Sequence, residues 1–372
     1  STRTTTLFPY TTLFRSGYSM RVDALRERLA SFAIDGMLVT KMQNRMYLSG
    51  FTGSAGALVI GREGQCLVTD FRYTEQAGMQ AKGFSVAIHG AGGFHKTVME
   101  EARRLGVTRL GFEAQDLSVD EFSGYEAEAA GLTLVATKGI VEKMRSVKDA
   151  AELEKLRHVC RLTDRLFDHI LGILKPGMAE RALAAEIDIW MIRNGMSPSF
   201  GTIVASGARG ALPHGRASEK PIEKGDLVTM DFGGFFDYYT SDMTRTVCVG
   251  KADSKQKEIY GIVLDAQMAG VDAAQAGLKG REVDSVARKM IESKGYGQYF
   301  GHGLGHGVGL EVHEEPRFSV TDENTMEPGM VLSVEPGIYI PGWGGVRIED
   351  LVVITDKQAE VLYKAPKHLI EL

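Results

Sequence analysis

From Met20 to about residue 140 the chain alternates between short apolar runs and longer stretches with helical periodicity. Val22, Leu25, Leu29 and Phe32 recur at the spacing of one helix face across 21–35, and the run MLVT follows at 37–40. Further runs stand at 57–60 (ALVI), 66–69 (CLVT), 85–88 (SVAI), 109–112 (RLGF) and 132–135 (LTLV). Short apolar runs of this kind predict strands, and charged segments such as FHKTVMEEARRLG between them predict helices. Such alternation predicts an α/β domain with a mixed or mostly parallel sheet over residues 20–140.

A second domain is expected over 141–372, the boundary falling within the segment KGIVEKMRSVKDAA at 138–151. Leu153, Leu156, Cys160, Phe167, Ile170 and Leu174 share the face of a long amphipathic helix, which Pro176-Gly177 stops. Within this domain the pattern repeats. The segment EKGDLVTMDFG, 223–233, matches EPGMVLSVEPG, 327–337, every position lying 104 residues further on. Each copy is a turn, an apolar strand and a terminal carboxylate, Asp231 in the first and Glu335 in the second. Upstream, KPGMAERALAAEIDIWMIRNG and LKGREVDSVARKMIESKGYG form a second related pair. A duplication of this kind would place Asp231 and Glu335 on opposite sides of one cleft.

Composition narrows the class without naming it. Hydrophobic residues make up 44% and charged residues 24%, enough for two ordinary cores, and the net charge of −5 gives no reason to expect nucleic acid or an anionic membrane. No run of about 18 apolar residues predicts a membrane span. Three widely spaced cysteines, Cys66, Cys160 and Cys248, suggest neither a disulfide framework nor a zinc ribbon, and fit a reducing, cytoplasmic setting. Residues 1–19 lack a secretory pattern, and LFPYTTLFRS at 7–16 resembles the in-frame translation of a sequencing adaptor. A non-native leader ending near Met20 is therefore expected.

The chemistry lies in four acids. Asp231 ends the apolar strand LVTM, Asp242 enters the β-branched stretch MTRTVCV, Glu335 ends VLSV, and Glu349 sits in VRIEDLVVI. Carboxylates are rarely buried unless paired or bound to metal, so four at strand positions favour a shared cation site. The segment GHGLGHGVGLEVHE adds His302, His306 and His313 among glycines that allow close backbone approach. A phosphate cradle is the other reading of such a loop, but it needs a helix directly afterwards, and LEVHEEPRF follows instead. Four carboxylates with an imidazole suit Mn²⁺, Co²⁺ or Fe²⁺ better than a thiolate-type zinc site, with Zn²⁺ still compatible. Five ligands exceed the needs of one catalytic zinc. Two ions sharing bridging carboxylates account for them and would furnish hydroxide near neutral pH.

The segments FTGSAGALVI, ASGARGALPHGRAS, GDLVTMDFGGFFDYYTSDMTRT, GHGLGHGVGLEVHEEPR and MVLSVEPGIYIPGWGGVRIED together resemble the proline-specific metallopeptidases of the pita-bread, methionine-aminopeptidase-like superfamily. The nearest groups are the prolidases (Xaa-Pro dipeptidases) and aminopeptidases P. The resemblance implies an α/β N-terminal domain and an α+β pita-bread domain with internal pseudo-twofold duplication. It implies Asp231, Asp242, His306, Glu335 and Glu349 as ligands of two divalent ions, with Asp242 and Glu349 bridging. By the same resemblance, His302 and His313 would face the scissile carbonyl, Glu335 would shuttle the proton, His214 would line the site and Arg347 would orient ligands.

Arg317 matches a position associated with the free proline carboxylate, so an Xaa-Pro dipeptidase is expected, with an Xaa-Pro aminopeptidase acting on longer peptides as the alternative. An ion pair of Arg317 with Glu314 or Glu315 is the competing reading of that residue. Xaa-Pro dipeptides or short peptides are the expected partners, and a homodimer the expected assembly. A metal-free, creatinase-like hydrolase and a non-catalytic peptide-binding module are the remaining readings, and both typically lack part of the ligand set present here.

Overall fold

The computed structural model describes residues 17–372, so the leader reading of 1–19 falls outside the described residues as far as position 16. From Gly17 the chain is helical through Leu29. Two compact units follow one another, Ser1–Met144 and Arg145–Leu372.

The first unit is built on a six-stranded mixed sheet. Its order is Ser85–Ile88, Gln65–Thr69, Ala57–Gly61, Gly36–Val39, Arg109–Glu113, Thr133–Thr137. All six apolar runs are therefore strands. The two central pairings involving Ala57–Gly61 are antiparallel, and the outer pairings and Gly36–Val39 with Arg109–Glu113 are parallel. The reason is connection length: Ala57–Gly61 and Gln65–Thr69 are joined by a tight hairpin, whereas parallel neighbours need a crossover. The helix Phe94–Arg104 lays Val98, Met99 and Ala102 onto Val59, Val68 and Leu110. Each such fully buried large aliphatic side chain contributes about 1.5–3 kcal/mol. His95 stands in the first turn of that helix and packs edge-on against Tyr125.

The second unit contains the repeat, and its copies share hydrogen bonds as well as sequence. Helices Ala150–Ile173 and Ser254–Ala273 each start at an aspartate, Asp149 or Asp253, closed by a reciprocal capping box with Glu152 or Gln256. The Gly177 amide donates to the Ile222 carbonyl, and the Gly277 amide to that of Met326, both glycines having φ near +89°. Only glycine takes that conformation at little cost. Bridges Ala179–Pro221 and Lys279–Thr325 repeat the pattern at the entries to helices Glu180–Arg193 and Gly280–Ser293. The helices cover two small antiparallel sheets, Met243–Cys248/Leu227–Phe232/Ile203–Ser206 and Glu314–Phe318/Gly305–Gly307/Val331–Val334/Asp350–Val353/Glu360–Val361. Ile259, Val263, Val283, Ala287, Leu332 and Val352 belong to one buried cluster of this unit.

The stretch near 140, where the domain boundary is expected, is a helix over Ile140–Ser146. Beyond it, Val147 bridges Met330, and the Lys148 amide donates to the Gly329 carbonyl.

Candidate metal centre

Register brings the acids together. Asp231 lies directly opposite Thr244 in the antiparallel pair, and Asp242, two residues before Thr244, shares its face. In the other copy His306 occupies the strand Gly305–Gly307, and Glu335 directly follows Val331–Val334. Gly305 has to be glycine, because a β-carbon there would collide with the Ser333 carbonyl. Glu349 stands between Gly344–Arg347 and Asp350–Val353, its amide donating to the Thr244 carbonyl at 3.1 Å. Arg245, fully buried, ties down this turn by donating to the Glu349 carbonyl and pairing with Asp350 at 2.8 Å.

The result is one cavity of about 500 Å³ that Asp231, Asp242, His306, Glu335 and Glu349 line together with His214, His302, His313, Arg317 and Arg347. His306 Nε2 is 3.2 Å from Glu335 Oε1 and 3.6 Å from Asp242 Oδ2. Single ligand atoms of Asp242, His306 and Glu349 lie within 4.8 Å of one another. The other nitrogen of His306 faces the Gly307 carbonyl at 3.1 Å and must carry the proton there, which turns the Nε2 lone pair toward the acids.

Supporting contacts fix the acids' free ends. The Thr244 hydroxyl donates to Glu349 Oε2 at 2.7 Å, and the Ser333 hydroxyl donates to Glu335 Oε1 at 3.0 Å. Arg347 pairs with Asp231 Oδ2 at 2.7 Å and donates to Thr244, Tyr339 and the Pro213 carbonyl.

Among the described residues, Asp231 Oδ1, Asp242 Oδ1 and Glu349 Oε1 are buried and accept no hydrogen bond. Burial, then repulsion from neighbouring acids, pushes the carboxyls of Asp242 and Glu349 well above the ordinary range. Burial also raises Asp231, against the pull of Arg347. For Glu335 burial is overcome by the His306 bond, which holds it low, and the same bond outweighs burial to hold His306 high. Oxygens so placed are strongly destabilised as bare anions. A cluster of acids facing one imidazole lone pair fits divalent cations, and the donor set is dominated by hard oxygen.

The remaining candidates differ in their freedom. Both nitrogens of His302 are engaged, Nδ1 with the Gly303 carbonyl at 2.8 Å and Nε2 with the Tyr339 hydroxyl at 2.9 Å. The ring of His313 lies 4.3 Å from that of His306 and makes no hydrogen bond among the described residues. Arg317 does not pair with Glu314, which Arg145 and Lys148 hold. Among the described residues its guanidinium pairs with Glu315 alone, at a long 3.5 Å between two half-exposed side chains.

Tyr339 is a residue that sequence reading missed. Its hydroxyl accepts from Arg347 at 3.0 Å and meets His302 at 2.9 Å, coupling an expected substrate-facing ring to the partner of Asp231. Nothing in GIYIP distinguishes it from an ordinary strand tyrosine. Tyr339→Phe, which keeps the ring, is expected to lower kcat about 10- to 100-fold with melting unchanged within a few degrees. Steady-state kinetics on the metal-loaded variant checks this, and a kcat within twofold of the parent would count against the link.

The fold and the site define a metallopeptidase: the chain belongs to metallopeptidase family M24, whose model matches residues 154–356, while the Creatinase/Prolidase N-terminal domain matches 21–147. Among solved structures, an Xaa-Pro dipeptidase from Bacillus anthracis is 46% identical, with a TM-score of 0.93 over 95% of this chain and 100% of that one. The prolidase from Pyrococcus horikoshii OT3 is 38% identical, with a TM-score of 0.88 over 94% and 100% of the two chains. An X-Pro aminopeptidase from Thermotoga maritima is 37% identical, with a TM-score of 0.87 over 93% and 99%. Among the described residues no helix is long and apolar enough to cross a membrane.

Proposed function

We propose that the protein is an Xaa-Pro dipeptidase working with two divalent ions, Mn²⁺ or Co²⁺, held by Asp231, Asp242, His306, Glu335 and Glu349. The observation that carries this reading is a single cavity lined by all five residues, in which Asp231 Oδ1, Asp242 Oδ1 and Glu349 Oε1 are buried with no hydrogen-bond partner among the described residues. The ions, when bound, activate water and polarise the scissile carbonyl.

The protein's own residues do the rest. His313, whose ring makes no hydrogen bond among the described residues, donates to the scissile carbonyl oxygen as charge develops there. His302 stands beside it with its proton on Nδ1, facing the Gly303 carbonyl, and accepts at Nε2 from the Tyr339 hydroxyl, which Arg347 keeps oriented. Glu335 takes the proton of the attacking water and delivers it to the leaving proline nitrogen. Proline's tertiary amide offers no N–H to grip. Recognition therefore falls on its carboxylate, for which the loosely held Arg317 supplies a bidentate fork.

Purified protein supplied with Mn²⁺ is expected to hydrolyse Ala-Pro and to be silenced by chelator. Absence of both bound metal and Xaa-Pro hydrolysis would remove the proposal. Arg317→Ala is expected to raise KM for Ala-Pro about tenfold, the worth of one charge-assisted pair. The likeness to the Thermotoga X-Pro aminopeptidase supports a second reading. Rapid cleavage of Ala-Pro-Ala together with an unchanged KM in Arg317→Ala would favour it.

A further inference from the structure

We infer that Arg216 is a second specificity residue, binding a carboxylate carried by the substrate; this rests on the peptidase reading above. The register of the first copy sets its position. Arg216 bridges Ile203, Ile203 lies opposite Asp231, and Asp231 lies opposite Thr244. Directly opposed residues of antiparallel neighbours project to one face. The Arg216 side chain thus belongs to the face that carries the metal-centre acid Asp231, and it lines the same cavity. The second copy has a counterpart, because Arg317 lies directly opposite His306. Each half of the duplicated domain contributes one arginine in register with one candidate metal ligand.

The backbone of Arg216 is fixed while its side chain is open. Its carbonyl accepts from Arg209 at 2.6 Å, and Arg209 pairs with the fully buried Glu180. The Arg216 guanidinium is exposed and makes no hydrogen bond or ion pair among the described residues. Four carboxylates balance two divalent ions, and Arg347 is already paired with Asp231. The cavity wall is therefore left with two loosely engaged cations, Arg216 and Arg317. A planar guanidinium matches a carboxylate in shape and charge. Two strand spacings separate Arg216 from Asp231, about 10 Å. That is the reach of two to three extended residues at roughly 3.4 Å each. A carboxylate at that distance is either the substrate's C-terminus or an acidic side chain before proline.

The test compares parent and Arg216→Gln, both metal-loaded, on Ala-Pro against Ala-Pro amide and on Glu-Pro against Gln-Pro. In at least one pair the parent is expected to favour the carboxylate about tenfold in kcat/KM. Arg216→Gln is expected to lower that preference through KM, with kcat within twofold and with the share that Arg317 holds on the proline carboxylate retained, and Arg216→Lys to restore part of it. The pair that responds identifies the source of the carboxylate. Unchanged preferences in both pairs, with the parent active, overturn the role of Arg216 alone. A parent inactive on every substrate overturns the peptidase reading and this inference with it. Because the side chain is exposed and unbonded, matching melting temperatures are expected for all three proteins.

Discussion

Glu349→Ala is expected to lower kcat on Xaa-Pro dipeptides on the order of 10³-fold, at or beyond the loss of one preorganised electrostatic group. It should also reduce bound metal below the parent's content. The side chain is fully buried, with one oxygen held by Thr244 and the other without a partner among the described residues. Removing it deletes one wall of the proposed ion site and leaves the Thr244 hydroxyl without its acceptor. Glu349→Gln separates chemistry from folding, since it still accepts from Thr244 but brings no charge. Elemental analysis and single-turnover kinetics decide the matter. Full metal content with kcat within tenfold of the parent would sink the assignment of Glu349.

The second large effect concerns pH in the metal-free protein. Asp242, Glu349 and Asp231 have carboxyls raised by burial, so the folded state holds their protons more tightly than the unfolded chain does. Stability from these groups is greatest below the unfolded carboxyl range near pH 4 and falls as pH rises toward their folded values. His306, raised by Glu335, has the same sign: its contribution is full below its unfolded value and is lost as pH rises. Glu335, held low, opposes only as pH falls through the acid range. Divalent ions replace those protons and bind better as pH rises. The melting temperature gained on adding Mn²⁺ to the dialysed protein should therefore grow by several degrees between pH 5 and pH 8. A gain independent of pH over that window would contradict the shared acid cluster.

Much of this was legible in the sequence because the acids break local rules. Asp231 and Glu335 stand where apolar strands should continue, and the repeat marks them as equivalents. Backbone bonds at Gly177 and Gly277 then carry the duplication into the structure. What stayed hidden follows ordinary rules. Tyr339 suits a strand, and only its two hydroxyl contacts give it significance. Arg216 reads as a loop arginine until the Ile203 bridge sets its register. The helix Ile140–Ser146 escaped because a short charged segment beside a domain boundary carries too few turns to show a period. The crowding of both His302 nitrogens depends on partners distant in sequence, which no local pattern reports.

The ladder from Thr244 through Asp231 and Ile203 to Arg216 also has a hereditary consequence. Since neighbouring side chains leave a strand on opposite faces, inserting or deleting one codon within Leu227–Phe232 would turn Asp231 away from the cavity it lines. Descendants of this gene should therefore vary freely in the spelling of that strand's apolar letters, yet almost never in its length.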